Sequence, residues 1–411
     1  MSLKSLAKNP RLRAKTLLAA VFLISNAFTW YFATFSIISN FLDEMHLSTF
    51  EAFAVWAINS GAAACAALVA AARTSKSVNH EQFSLLWIVF GVISSIVPLF
   101  MTMTTFGEIG TIAFLWGIAF GFGMPHSMQY YVDNNTPENR GKVGGITYFI
   151  AYLGIFCIGI GIMRNNDLET QILALTAWRA VGLILFYFFK PSYIQPKKSK
   201  DPSYISIVRE HSFILYFIPW LMFCLINYLN IPILVELFGE DFAILSSLIE
   251  GLISGLIAII TGFLCDTVGR KRIIVSGFVM VGLGYAVLSV FPEFLISWYF
   301  YTILDGVAWG MFAVTFLMVL WGDLAYEKPS KKYYALGGLP FLFANTLQAL
   351  IGKDLAQFVS VSAVFPLTSL FLFLAVLPLV YAPETLPEKK IRERELKKYI
   401  EKAKKVREKY D

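Results

Sequence analysis

Runs of about twenty predominantly apolar residues recur twelve times along this chain, most of them separated by only short polar segments. They fall at 16–39, 49–72, 83–104, 109–132, 143–163, 170–190, 211–235, 247–266, 272–290, 294–321, 334–353 and 361–382. A run of that length crosses the ~30 Å hydrocarbon core of a bilayer. No water is available there, so the backbone must satisfy its own hydrogen bonds, and a helix does so within one segment. Composition decides against a soluble reading of the same runs: 57% of residues are hydrophobic and 15% charged, whereas soluble domains hold about 45–50% and about 25%. The first run follows a basic stretch and invites comparison with a signal peptide. It is too long for one and lacks a small-residue cleavage site, so it is expected to remain as the first span. The expected fold class is an all-α polytopic membrane protein with twelve transmembrane helices.

The basic residues orient those spans. If both termini share one side, 31 of the 34 Lys and Arg fall in the segments on that side. Arg164 and Lys353 fall on the other, and Arg179 lies within the sixth span. Such a bias marks the basic side as cytoplasmic, giving a multi-pass protein of the plasma membrane with both termini inside. It also checks the span count, because one missed or invented span would invert the pattern downstream.

The chemistry of enzymes and metal proteins finds little support. Cys65, Cys157, Cys224 and Cys265 sit in apolar runs with no short spacing, and the four histidines are scattered. No nucleophile–base or metal-ligand constellation stands out. The chain is therefore expected to be no enzyme, to hold no metal or cofactor, to bind no nucleic acid and to work as a monomer in the bilayer. The segment 386–411 carries eleven basic and six acidic residues with a thin apolar stripe at Ile391, Leu396, Ile400 and Val406. It reads as a solvated tail helix, or as one that meets a partner or anionic lipid.

The halves repeat each other. Ser48-x-x-Glu51 opens span 2, and Ser247-x-x-Glu250 opens span 8 at an offset of 199. Both read as capping boxes, in which hydroxyl and carboxylate satisfy the first free amides of a helix. Gly117 and Gly121 of span 4 correspond to Gly306 and Gly310 of span 10 at an offset of 189. Past span 4 come Asp133, Pro137, Arg140 and Gly141; past span 10 come Asp323, Pro329, Lys331 and Lys332. The expected organisation is a six-helix bundle over 1–190, a linker over 191–210, a second six-helix bundle over 211–382, and a charged tail over 383–411.

After span 8 stand Gly262, Asp266, Gly269, Arg270, Lys271 and Arg272, in the pattern G-x-x-x-D-x-x-G-R-K-R. Asp266 lies at the carboxyl end of its helix, where the dipole is negative and disfavours a second anion. It needs positive charge, from Arg270 or from the amino end of a neighbouring helix. The pattern resembles the signature of the major facilitator superfamily, in the loop where that family carries its second copy. Pro383-Glu384-Thr385 resembles the ending of the family's sugar and organic-acid porters, and the Asp133–Pro137–Arg140–Gly141 loop resembles the family pattern after span 4. The resemblance implies the two-bundle fold of a secondary transporter, with the amino end of span 5 (Gly141, Gly144, Gly145) as the partner of Asp266 in a latch, and Asp133, Arg140 and Asp323 as a network of cytoplasmic loops. At the 199 offset the first half has Ala63, Ala67 and Ala71 in place of Gly262, Asp266 and Arg270. Acid and base are missing together, so one side alone is expected to latch.

Ionisable groups within a span are costly and default to functional hypotheses. Asp305 lies 8–11 residues into span 10, roughly 12–16 Å deep at 1.5 Å per residue. The resemblance implies that spans 1, 4, 7 and 10 line the substrate cavity, which makes Asp305 the candidate for coupling to protons or for substrate contact. Uncharged polar candidates are Asn26, Asn59, Asn227, Asn230, Asn345 and Gln348, with His126 and Gln129 nearer the cytoplasm. Each is equally suited to holding helices together. Asn230 precedes Pro232, which removes a backbone donor and can unwind span 7. Arg179 follows Trp178, a pair that in this family marks the outer end of span 6. Span 1 carries no acid and span 4 has Ala113 where sugar porters and drug antiporters place Arg, which weighs against both assignments. The expected function is alternating-access transport of a small organic solute, with protons as a candidate coupling ion. The alternatives are a transporter-like sensor or scaffold that moves nothing and, behind it, a membrane-embedded enzyme.

Overall fold

The computed structural model describes residues 10–73, 80–164, 167–189, 201–226, 230–326, 328–344, 346–347 and 361–386. The fold is all-helical. Eleven of the described helical stretches are long and apolar enough to cross a membrane: Ala14–Glu44, Thr49–Arg73, Glu81–Phe100, Phe106–Asn134, Arg140–Gly159, Leu168–Phe189, His211–Phe238, Glu240–Thr267, Arg270–Val290, Leu295–Leu324 and Ala363–Tyr381. They are spans 1–10 and 12 of the sequence reading. Of span 11, Lys331–Gly337 is helical and residues 339–344 continue it. Large apolar side chains such as Phe50, Leu86, Phe188 and Ile296 are exposed, which suits a surface facing lipid.

Local chemistry sets where the helices begin. The Ser48–Glu51 box is present: Ser48 N donates to Glu51 Oε2 at 3.0 Å and Glu51 N to Ser48 Oγ at 3.3 Å. A second box, Thr105–Glu108, starts span 4 at Phe106. The box expected at Ser247–Glu250 does not exist. Span 8 begins at Glu240, behind Gly239 at φ +84, and Glu240 and Asp241 sit in the first turn, where the helix dipole favours acids. Glu250 therefore lies ten residues inside the helix. The charge of Glu240 and Asp241 interrupts the apolar run, which hides the true start of the helix from hydropathy.

Close packing relies on glycines set against backbone, as expected where lipid supplies no hydrophobic drive between helices. Gly117 and Gly121 of span 4 lie on the carbonyls of Asn59 and Ala63 in span 2. Gly306 and Gly310 of span 10 lie on those of Glu250 and Ser254 in span 8; a Cβ at Gly310 would stand 2.7 Å from the Ser254 oxygen. These contacts confirm the repeat and correct its register: Asn59 matches Glu250 and Ala63 matches Ser254, an offset of 191 and not 199 for spans 2 and 8. The halves themselves meet along spans 5 and 8, where a Cβ at Gly262 would stand 2.5 Å from the Gly141 carbonyl oxygen.

Two spans are irregular midway. Span 4 is two helices, Phe106–Gly121 and Met124–Asn134, with Pro125 in the first turn of the second. Span 10 runs as an α-helix over Leu295–Phe312, a π-helix over Ala313–Val319, and an α-helix over Leu320–Leu324. Span 7 is described as His211–Ile226 and Asn230–Phe238.

Candidate functional site

The segments joining spans 4–5, 8–9 and 10–11 meet at one end of the molecule, called here the basic face. Asp266 Oδ1 accepts from Gly141 N at 2.9 Å and Oδ2 from Lys142 N at 2.8 Å. Arg270, the first residue of span 9, lies 3.2 Å away. The amino end of span 5 thus supplies the free N–H donors and positive pole that a carboxylate at the end of span 8 requires. The Arg270 guanidinium, fully buried, also donates to Asp323 Oδ2 at 3.1 Å, to the Cys265 carbonyl at 2.7 Å and to the Pro137 carbonyl at 2.5 Å. The other oxygen of Asp323 pairs with Arg140. Two acids and two guanidiniums from opposite halves form one desolvated network, in which each charge has a partner.

The remaining residues of the motif support that network. Gly269 has φ +118, and a Cβ there would collide with the Glu384 carboxylate, so only glycine fits. Glu384 in turn accepts from Arg270 N at 2.9 Å, a contact the sequence reading did not assign. Lys271 Nζ donates to the carbonyls of Val380 and Ala382 at 2.7 and 2.9 Å, closing the end of span 12. Arg272 is exposed. Asp133 stands apart from the ion pairs among the described residues: it accepts from Gln129 at 3.4 Å.

The other flank of the basic face, between spans 2 and 11, is held differently. At the corrected offset Gly262 matches Ala71, and the first half still lacks the motif's glycine, acid and arginine. The linker segment 201–210 bridges the gap. The Tyr204 hydroxyl donates to the Leu68 carbonyl of span 2 at 2.5 Å. Asp201 faces Lys331 and Lys332 at 3.3 and 3.4 Å, and Lys332 donates to the Pro202 carbonyl at 2.9 Å. Glu210 accepts from Lys328 at 2.7 Å and from Tyr333 at 2.8 Å. The Glu210 carboxylate holds the Lys328 ammonium above its ordinary range, and burial pushes the Tyr204 hydroxyl up to about 12. The expectation that only one side is fastened is corrected here: both flanks are tied, one by the motif and one by the linker.

Most polar candidates within the spans hold helices together. Asn26 donates to the Trp178 carbonyl at 2.7 Å and accepts from Arg179 at 2.8 Å. Arg179 is fully buried between the rings of Trp30 and Trp87, at 5.5 and 4.6 Å, a structural role within its bundle. Asn59 donates to the Ala113 carbonyl at 2.8 Å. His126 packs on Phe83 with ring centroids 4.4 Å apart. Asn227, Asn345 and Gln348 lie outside the described residues.

Asp305 gathers a different set. Tyr301 donates to its Oδ2 at 3.2 Å and lies 3.2 Å from the Tyr285 hydroxyl, which reaches Asn230 Oδ1 at 3.4 Å. Asp305 is 2% exposed, and its Oδ1 has no hydrogen-bond partner among the described residues. The carboxyl of Glu250 lies within electrostatic reach, because Gly306 lets span 8 approach this part of span 10. Tyr152 of span 5 covers the same face of span 8, against Gly251 and Gly255. Asp305 is thus not the sole deep carboxylate. Among the described residues neither acid forms a salt bridge.

Between the halves, nearer the basic face, lies a cavity walled by Phe28, Phe120, Met124, Phe316, Trp321 and Phe341 among others. The broken stretch of span 4 and the π stretch of span 10 both border it. Asp305 is not on its wall. Its wall holds no acid or basic side chain; the sequence signal that locates it is the breaker run Gly121, Gly123, Pro125.

Two groups of helices joined at one end by buried ion pairs, with a cavity between them, make up the major facilitator fold: residues 1–158 match the Major Facilitator Superfamily, and about nine-tenths of the chain superposes on solved transporters. The human organic anion transporter MFSD10 (TETRAN) aligns at a TM-score of 0.67 and 14% identity, over 90% of this chain and 100% of that one. The proton:xylose symporter XylE, bound to 6-bromo-6-deoxy-D-glucose, aligns at 0.66 and 15% identity, over 92% and 96%. No curated protein sequence matches the chain.

Proposed function

We propose that the protein is a secondary active transporter that carries a small organic solute by alternating access, its basic face in the cytoplasm. The observation that carries this reading is the network of Arg140, Asp266, Arg270 and Asp323. It joins the halves through charge and helix-end contacts, which can part and re-form as units without unfolding either bundle. Bundles over 1–190 and 211–382 would rock about the cavity, with residues 201–210 spanning them. The structural neighbours, a proton:xylose symporter and an organic anion transporter, fit that reading. Asp305 and Glu250 are proposed as the coupling pair: two carboxyls at membrane depth with no basic partner require a proton or a cation between them. Counterflow of labelled solutes in proteoliposomes, screened over sugars, organic acids and apolar compounds, tests the proposal. Exchange of any one above protein-free vesicles supports it; a chain that exchanges none while keeping its fold is a sensor or scaffold.

A further inference from the structure

We infer that the cavity between the broken span 4 and the π stretch of span 10 takes an uncharged, largely apolar organic molecule and rejects polyols. This deepens the transport reading and rests on it for the idea that the occupant is cargo. The wall is contributed by both halves: Phe28, Phe120 and Met124 from the first, Phe316, Trp321 and Phe341 from the second. No charged side chain lines it. The hydroxyl on the wall, that of Tyr334, already donates to the Met318 carbonyl at 2.6 Å. The Trp321 indole N–H is the wall donor without an acceptor among the described residues.

A sugar placed here would bury several hydroxyls against rings and thioethers. Each hydroxyl buried without a partner is penalised by the water it gives up, and a wall without partners cannot recover that. A charged ligand fares worse, because the nearest acids and bases are already bonded to each other in the basic-face network. An apolar molecule loses nothing on entering, and ring-on-ring contact adds to its burial. Flexible methionines on the wall, Met124 and Met128, let one cavity fit more than one such shape.

The experiment uses full-length protein in lipid nanodiscs, with N-phenyl-1-naphthylamine, an uncharged apolar fluorophore that accepts energy from tryptophan. The expected result is saturable energy transfer above the linear background of lipid partitioning. D-xylose and xylitol in large excess should leave it unchanged. Leu342→Trp, which fills the cavity from its wall, should weaken binding at least about tenfold while Ile296→Trp, on the exposed surface away from the cavity, leaves it within about twofold. Non-saturable transfer, or displacement by either polyol, overturns the inference, and both readouts use the wild-type chain and so stand even if the filled variant misfolds. Equal saturable binding by a folded Leu342→Trp protein also overturns it, by placing the probe elsewhere. The transport reading fails separately: saturable binding without counterflow of any solute leaves a binding cavity in a protein that does not transport, whereas counterflow of a polyol without probe binding leaves a carrier with a different cargo.

Discussion

Arg140 and Asp323 stand 183 residues apart in the chain and form an ion pair whose side chains are 5% and 2% exposed. Neither half of the molecule can make this contact alone, and both side chains are shielded from solvent. The pair therefore reports directly on whether the two halves are together at the basic face.

Asp323→Asn removes the acid shared by Arg140 and Arg270 and leaves two buried guanidiniums short of charge. Breaking a buried pair in this way costs about 3–5 kcal/mol, and here the loss falls on the closed basic face. Cysteines placed at Ala67 and Ala335, where spans 2 and 11 meet, should become reactive to a maleimide added from the basic side. Protection equal to that of the parent would remove Asp323 from the closure.

Asp266→Asn keeps the shape of the side chain and its acceptor oxygen but loses the charge facing the helix amino end and Arg270. The closed state should weaken by about 1–2 kcal/mol, less than for Asp323→Asn. Transport should fall at unchanged expression. An effect larger than that of Asp323→Asn would invert the assigned ranking.

The linker tie predicts its own pH dependence. The pKa of Lys328 is raised by Glu210, so what this pair adds to the tie is complete below the ordinary lysine range and is lost as pH climbs through the raised value. The difference in protease cutting at 201–210 between parent and Lys328→Met should be constant from about pH 7 to 10 and vanish above the lysine range. A difference that fades below pH 9 contradicts the pairing.

Orientation is open to a direct assay. In a cysteine-free background, single cysteines at Glu44, Asp167 and Glu240 should react with an impermeant maleimide on intact cells. Cysteines at Tyr326 and Lys328 should stay silent until the membrane is opened. Labelling of either of the latter pair in sealed cells breaks the proposed topology.

Asp305→Asn and Glu250→Gln separate coupling from packing. If the two share a proton, each variant should lose uptake driven by a pH gradient yet keep energy-independent exchange. A carrier using the acids to bind a cation should lose both activities. Activity and pH dependence intact in both variants would make the pair structural.

Much of this architecture was legible beforehand, and the reasons are physical. Bilayer thickness fixes the length of an apolar run, so spans are found easily; their ends are set by single caps, so Gly239 and Glu240 were missed and Glu250 was taken for a cap. The Asp266–Gly141 contact was readable because a carboxylate at the wrong end of a helix demands a donor from outside it. The role of Glu384 and the linker tie were not, since nothing local in Tyr204 or Asp201 names a partner more than 100 residues away. Polar candidates such as Asn26 and Asn59 proved to bond neighbouring backbone, because sequence shows that a side chain is polar but not which way it points. The cavity escaped notice because its wall has the same composition as the lipid-facing surface.

The π stretch in span 10 has a torsional consequence. Relative to an unbroken α-helix, such a stretch adds one residue, which at 3.6 residues per turn amounts to roughly 100° of rotation about the axis. Asp305 lies before Ala313–Val319 and Asp323 after it. The bearing of one carboxylate on the other is thus set by a slipped backbone register and not by any side chain. Deleting a single residue between 313 and 319 should remove the slip and leave Asp323 facing both guanidiniums, whereas adding one uncharged residue to the α-helical part at 306–312 should swing it away and open the basic face without altering any charge.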